Sequence, residues 1–447
     1  MLQKEVTKML IEFTVGNYLS FKKDTTISFL AVKDNQFVDD NTFPLNDSIN
    51  LLKNIALWGP NASGKSNLLK ALSFFKYFIL NSSKETQLKE KISVNNFRLS
   101  TETENKPSLF EIIFYQNKVR YRYGFEVNIK KVITEWLFAS YSSKESKLFI
   151  REKDKIDIGN KFIEGKNLWS KTRENALFLS VVAQFNGKIA SEVLKWFYNL
   201  HVLSGPIKKM DHLTIEILEN KFGPEKKKRL IDLIKLSDLG IEDVYVETKE
   251  INYDDFKKSF SLFNGKVNLF EKLDKNKPIL SKRIKTSHKK YNKNKEFISV
   301  EEFDLDSEES GGTQKFFALA GPIILTLLSG SILFIDEIEV NIHPLLLRKV
   351  IEIFNSRITN SRNAQLFFTT HNTGLLSSSF LRRDQVLFIE KNEYGSSEIF
   401  SLIEFKEKKG RERTDASFEK KYLSGKYGAV PYLDELINVV KLSNEKK

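Results

Sequence analysis

Residues Gly59-Pro60-Asn61-Ala62-Ser63-Gly64-Lys65-Ser66 fill the pattern G-x-x-x-x-G-K-[ST] without a gap. What flanks them restricts the fold as much as the motif does. A strand-like apolar run, Ile55 to Trp58, comes before, and a helical run, Leu68 to Leu80, comes after. Strand, glycine loop and helix in that order let successive backbone N–H groups face one phosphate, while the helix N-terminus adds its positive end. Lys65 is placed to reach β- and γ-phosphates, and the Ser66 hydroxyl to take one Mg²⁺ position. Asn67, next in the turn, is grouped with these nucleotide contacts. The chain is expected to bind a nucleotide together with Mg²⁺.

A second run, Ser331 to Ile335, is short, apolar and followed by Asp336 and Glu337. It reads as a buried parallel strand, whose C-terminal edge is where α/β sheets place ligands. Asp336 is the candidate Mg²⁺ holder and Glu337 the candidate general base for an attacking water. Just upstream, Ser310-Gly311-Gly312-Thr313-Gln314 opens a helix that continues from about Phe316 to Leu328. Its bare glycines at a helix N-terminus make a second candidate phosphate clamp. A third run, Ala364 to Thr370, ends at His371, a neutral donor suited to a γ-phosphate.

Phosphate loop, Ser-Gly-Gly helix, Asp-Glu strand and His-ended strand, in that order, resemble the ABC-type ATPases, especially the branch with SMC proteins, RecF and the OLD family. The resemblance implies Walker A at Gly59 to Ser66, a signature at Ser310 to Gln314, Walker B at Ile332 to Glu337, and an H-loop at His371. It also implies that two heads sandwich two ATPs, with Ser310 and Gly312 acting in trans, so that hydrolysis requires a homodimer or a larger assembly. Ile338 to Pro344 would be the D-loop crossing that interface. Glu309 and Thr313 depart from the Leu-Ser-Gly-Gly-Gln pattern, and a Glu309 charge held near ATP would slow turnover. A narrower likeness rests on Glu309-Ser-Gly-Gly-Thr-Gln, Ala320-Gly-Pro, Asn363-Ala-Gln, Thr369-Thr-His-Asn, Arg382-Arg-Asp-Gln and Tyr422-Leu-Ser-Gly-Lys-Tyr-Gly-Ala-Val-Pro. These are similar to stand-alone bacterial phage-defence ATPases of the RloA or AbiL sort, often encoded beside a nuclease or toxin. The likeness covers roughly 1–115 and 300–435.

The fold expected is α/β: an ABC-type P-loop NTPase head with an N-terminal β layer, an antiparallel β meander and a compact helical and β insertion. The alternation of Met9 to Leu30 gives the β layer, and Phe110–Tyr115, Val119–Val127 and Val132–Tyr141 give the meander. Gln116 is the nearest candidate for the family's Q-loop glutamine, although it falls in an apparent hairpin. Residues 1–150 and 301–447 form the two halves of the head, and 151–300 the inserted arm. No long heptad pattern occurs there, which excludes an SMC-type coiled coil. Only 76 residues follow His371, short for a TOPRIM nuclease, and His201, His212, His288 and His343 lack metal-ligand spacing.

Cysteine is absent, so disulfides and thiolate chemistry are excluded, which fits a cytoplasmic protein. Lys4, Glu5, Lys8 and Glu12 interrupt any secretory leader. Phe316 to Ile335 carries no charge over 20 residues, but Gly321-Pro322 and Ser329-Gly330 break it into a buried helix and a strand, and no membrane contact is expected. The net charge of +13 is concentrated between Lys257 and Glu296, where the local balance is +10. Lysine-rich and poor in stacking residues, this segment suits phosphate attraction to nucleic acid, a solvated loop, or an acidic partner. Three readings follow: an ATP-gated switch in antiviral defence that controls a separate nuclease or toxin, a RecF-like DNA-maintenance ATPase, and a slow-turnover ATP-binding scaffold.

Overall fold

The computed structural model describes residues 8–431 except 86, 88, 143, 154, 206–209, 238, 252–278, 408–409 and 412–417. The leader region 1–7, the 257–278 part of the lysine-rich segment and the tail beyond 431 therefore lie outside the described residues. In chain order the strands are β1 (Lys8–Gly16), β2 (Thr25–Ser28), β3 (Thr42–Asn46), β4 (Ile49–Leu52) and β5 (Asn54–Trp58). After the helix Lys65–Asn81 come β6 (Ser108–Gln116), β7 (Val119–Val127), β8 (Val132–Ser140), β9 (Glu145–Glu152) and β10 (Lys155–Ile158). Then follow β11 (Leu200–Leu203), β12 (Asp243–Ile251), β13 (Ile279–Tyr291), β14 (Phe297–Asp304), β15 (Ile332–Ile335), β16 (Gln365–Thr370), β17 (Val386–Lys391) and β18 (Ser397–Ser401).

The chain divides into two compact units, the first comprising 1–205, 325–339 and 343–447, the second 206–324 and 340–342. The first unit holds two main sheets. One is parallel from β11 through β15, β16, β5 and β17, with β18 antiparallel at its edge. Every residue of β5, β15 and β16 is buried, which explains why those runs are continuously apolar instead of alternating. Their C-terminal ends are the shelf on which the functional loops stand.

The other sheet is antiparallel, in the order β10-β9-β8-β7-β6-β1-β2. The N-terminal layer and the meander are thus one sheet, joined where β1 pairs with β6. The inward side chains of β1, β6 and β7, with their period of two, meet the helix Lys65–Asn81. Phe75 stacks against Phe110 and Phe125 at 6.1 and 5.2 Å and reaches Phe13 at 5.7 Å. Each fully buried ring of this kind contributes on the order of 2–3 kcal/mol from area alone. Behind them, the buried Glu135 carboxylate accepts the N–H groups of Phe178 and Leu179 and the Tyr123 hydroxyl, with Arg151 3.7 Å away. Removing either partner of such a pair would strand a charge, at a cost of about 3–5 kcal/mol.

In the second unit β12, β13 and β14 form an antiparallel sheet beside the helices His212–Leu218 and Pro224–Lys235. No long coiled coil occurs among the described residues, in line with the compact insertion expected. The apolar stretch after the signature forms the helix Gly311–Ser329, long and apolar enough to cross a membrane. Phe316, Phe317, Leu319, Ile323 and Leu325 are buried within the protein, so it is a core helix. In its described part, 279–296, the lysine-rich segment is less free than its composition implies. Lys282 pairs with Glu219, Lys285 with Asp304, Lys289 with Glu242 and Lys290 with Glu301.

Candidate functional site

β5 ends at Trp58, and the chain leaves the sheet at Gly59. A Cβ on Gly59 would stand 2.2 Å from the Ile389 carbonyl of β17, so only glycine passes there. Ala62 and Gly64 take left-handed backbone, at φ 63° and 115°. At Gly64 the demand is double, because a Cβ would also meet the Ser397 hydroxyl at 2.2 Å. The N–H groups of Asn67 and Leu68 donate back to the Gly64 carbonyl at 3.0 and 3.2 Å, which starts the helix Lys65–Asn81. Lys65 Nζ donates to the Gly59 and Pro60 carbonyls at 2.8 and 2.9 Å and lies along its own loop. Ser63 Oγ is buried without a protein partner.

Asp336 and Glu337 follow the end of β15, and one residue of β16 holds both. The Thr369 hydroxyl donates to Asp336 Oδ1 at 2.7 Å and accepts the Glu337 N–H at 2.8 Å. Glu337 has φ 47°, a left-handed conformation that costs a residue with a Cβ about 1–2 kcal/mol. The strain turns its side chain out of the sheet edge, where it is exposed. His371 leaves the end of β16 beside it, and its N–H donates to Glu339 Oε1 at 2.5 Å. The other Glu339 oxygen is buried without a protein partner.

One cleft is lined by residues 61–67, Glu337 and His371. Burial pulls the Lys65 ammonium down to about 8, against the opposing attraction of Glu337, Asp336 and Glu339. His371 is also held below its usual value, by burial first and Lys65 second, which keeps the imidazole neutral at pH 7. The donor set suits phosphate: a nest of backbone N–H groups, the unpartnered Ser63 hydroxyl, and a lysine that trades weak carbonyl partners for anionic ones.

Ser66 and Asp336 offer a hydroxyl and a carboxylate oxygen, the hard donors that Mg²⁺ takes. No three His, Cys, Asp or Glu side chains converge as a protein-only cage among the described residues. A cation held here would share its coordination with phosphate oxygens, as Mg²⁺ does. Bound there, Mg²⁺ would supply charge neutralisation for a transferring phosphoryl group. In the same cleft, the Glu337 carboxylate can accept a proton from water and His371 can donate a neutral hydrogen bond.

Ser310, Gly311 and Gly312 are not among the residues of this cleft; they belong to the second unit. The Ser310 hydroxyl accepts the Thr313 N–H at 3.1 Å and caps its own helix. A Cβ on Gly312 would meet the Asn341 carbonyl at 2.6 Å. The Glu309 side chain is only 8% exposed and is bound to β13 through Thr286 and His288. Gln116, the tentative Q-loop glutamine, is buried at the end of β6 and donates to Glu192; it does not line the cleft.

Three residues have roles in this geometry that the sequence did not assign. Ser20 and Ser397 buttress the phosphate loop from outside, and nothing local marks either serine. Thr369 carried a signal, as the polar end of an apolar run two residues before His371. The C-terminal motif packs on β17. Tyr422 and Tyr427 stack on Phe388 of β17 at 5.4 and 5.5 Å, and the Ala429 N–H donates to Glu390 at 2.7 Å.

A family model described as "AAA domain, putative AbiEii toxin, Type IV TA system" matches residues 55–377. Among solved structures, the chain is similar to the SmcHead bound to the C-winged helix domain of ScpA. That likeness is 13% identical, with a TM-score of 0.42, over 88% of this chain and 97% of the other. No curated protein matches the sequence.

Proposed function

The chain belongs to the family of AAA domains described as putative AbiEii toxins of type IV toxin–antitoxin systems, and from that premise we propose that it is a Mg²⁺-dependent ATPase serving as an ATP-gated regulator in phage defence. The observation that carries the catalytic part is the cleft that gathers residues 61–67, Glu337 and His371. In this reading Lys65 and the loop amides hold the phosphates, and Ser66 and Asp336 hold Mg²⁺. Glu337 activates water, and His371 senses the γ-phosphate. Ser310 and Gly312 complete the site in trans across a homodimer or larger assembly in the cytoplasm, whose opening and closing controls a separate nuclease or toxin. Steady-state ATP turnover of the purified protein, alone and with co-expressed neighbouring gene products, tests this. Turnover that depends on Glu337 and on protein concentration supports it. Turnover unaffected by Glu337→Gln sinks the assignment.

A second reading is a RecF-like DNA-binding ATPase. The turn between β13 and β14 favours it, because Tyr291 and Phe297 are 54% and 56% exposed there, beside Lys293 and Lys295. Aromatic faces interleaved with cations suit nucleic acid. Salt-sensitive stimulation of turnover by linear duplex or single-stranded DNA would favour this reading over a protein trigger.

A further inference from the structure

The signature loop is hung from the arm sheet at two points. β14 runs directly into it at Asp304, and the loop closes on itself there. The Glu308 N–H donates to the Asp304 carbonyl at 2.9 Å, and the Asp304 N–H to Glu308 Oε2 at 2.6 Å. The second point is Glu309, the residue directly before Ser310. Its Oε1 accepts the Thr286 hydroxyl at 2.5 Å and lies 2.7 Å from His288 Nε2. A carboxylate oxygen is the acceptor here, so an imidazole N–H is the donor in that contact. Thr286 is fully buried, and the His288 ring packs on Phe303 of β14 at 4.7 Å, which leaves the donors little freedom.

From Glu309 the restraint passes straight into the signature. Gln314 Nε2 donates to the Glu309 carbonyl at 3.2 Å, and the Gln314 N–H to the Ser310 carbonyl at 3.0 Å. Ser310 is therefore held between a buried carboxylate on one side and its own helix on the other. A leucine at 309 could fill the space but would leave Thr286 and His288 without this acceptor.

We propose that Glu309 is a positioning residue that latches the signature loop to β13 through Thr286 and His288 and thereby fixes where Ser310 presents its hydroxyl. The latch rests on the ATPase reading above only for its consequence in turnover; the restraint itself is a property of the second unit. Because residues alternate along β13, Arg283, Lys285 and Lys289 lie on the face opposite Thr286 and His288.

The test compares Glu309→Leu, Glu309→Gln, His288→Ala and the double variant Glu309→Leu/His288→Ala. Two readouts are used: ATP turnover, and amide hydrogen exchange at residues 310–314. We expect Glu309→Leu and His288→Ala each to lower kcat by about tenfold with ATP affinity unchanged, as loss of a hydrogen bond to a charged group implies. The double variant should be no worse than Glu309→Leu, and the amides of residues 310–314 should exchange faster in all three. Glu309→Gln keeps an acceptor oxygen and should retain most of the wild-type rate. A rise in turnover with both Leu and Gln would mean that the Glu309 charge acts by repulsion and would overturn the latch. Additive losses in the double variant would overturn it too. Should the wild-type protein hydrolyse no ATP, the ATPase reading fails separately. The exchange data then decide alone: equal protection in wild type and His288→Ala overturns the latch, and faster exchange in the variant sustains it.

Discussion

The Ser397 hydroxyl donates to the Ser63 carbonyl at 2.5 Å, so the edge strand β18 holds the phosphate loop from outside. Ser397 Oγ also lies 2.8 Å from Ser20 Oγ, which in turn accepts Asn67 Nδ2 at 2.9 Å. Two distant segments of chain thus fix one turn. The loop conformation is strained at Ala62, and this side-chain network is what over-determines it.

Ser397→Ala removes the inner bond without adding bulk. Loss of the Ser397 bonds to the Ser63 carbonyl and the Ser20 hydroxyl should weaken ATP binding by roughly five- to tenfold and lower stability by about 1–2 kcal/mol. Isothermal titration with ATP and chemical denaturation would measure both. Gly64→Ala should be far worse, because the new Cβ meets the same hydroxyl at 2.2 Å on a backbone at φ 115°. A Ser397→Ala protein with unchanged ATP affinity would show that the edge strand is not needed to shape the loop.

Thr369 joins the candidate metal holder to the candidate base, since its one hydroxyl serves the Asp336 carboxylate and the Glu337 N–H together. Thr369→Val keeps the shape and leaves both without their partner. The expected result is a fall in kcat of about tenfold, with more Mg²⁺ needed for half-maximal rate, while ATP affinity changes little. Thr369→Ser restores the hydroxyl and should recover most of the loss. Failure of serine to rescue would assign the effect to packing of β16.

The readable parts of this chain are those whose requirements are local. A phosphate loop needs its glycines, lysine and flanking elements within about twenty residues, and a buried parallel strand declares itself by continuous apolar character. Long-range pairings leave no such trace. Alternation in β1 announces a strand but not that it pairs with β6, about a hundred residues later. Ser20 and Ser397 are ordinary serines until the fold brings them to Gly64. Lysine content between 257 and 296 likewise reports charge, not pairing. The carboxylates that neutralise Lys282 and Lys289 come from Glu219 and Glu242, outside the segment.

Lys65 gives the site a pH dependence with a definite sign. Burial lowers its pKa to about 8 in the free protein, while phosphate anions in the cleft would raise it. Below pH 8 the ammonium is charged both free and bound, and affinity should be flat in this respect. Above pH 8 binding must take up a proton, so ATP affinity should fall by up to about tenfold per pH unit. Lys65→Arg carries a cation that does not titrate in this range, and whatever its absolute affinity, its profile should be flat. Dissociation constants between pH 7 and 9.5 test the point. Parallel profiles for the two proteins would place the titration elsewhere.

Glu337 is the sharpest test of the catalytic assignment because its exposed carboxylate lies in the cleft with the phosphate loop and His371. Glu337→Gln is nearly isosteric and keeps the left-handed turn and its bond to Thr369, so neither folding nor the phosphate loop should suffer. It removes the proton acceptor. Loss of a general base lowers kcat by about a hundred- to ten-thousandfold, and ATP affinity should stay within about threefold of wild type. Since release of the closed state follows hydrolysis in the proposed cycle, the variant should also accumulate as an ATP-dependent dimer or larger species in light scattering. A variant that turns over at the wild-type rate would show that another group, such as Glu339 two residues on, activates the water. A variant that stops hydrolysis yet remains monomeric with ATP would keep the base and remove the in-trans assembly from the proposal.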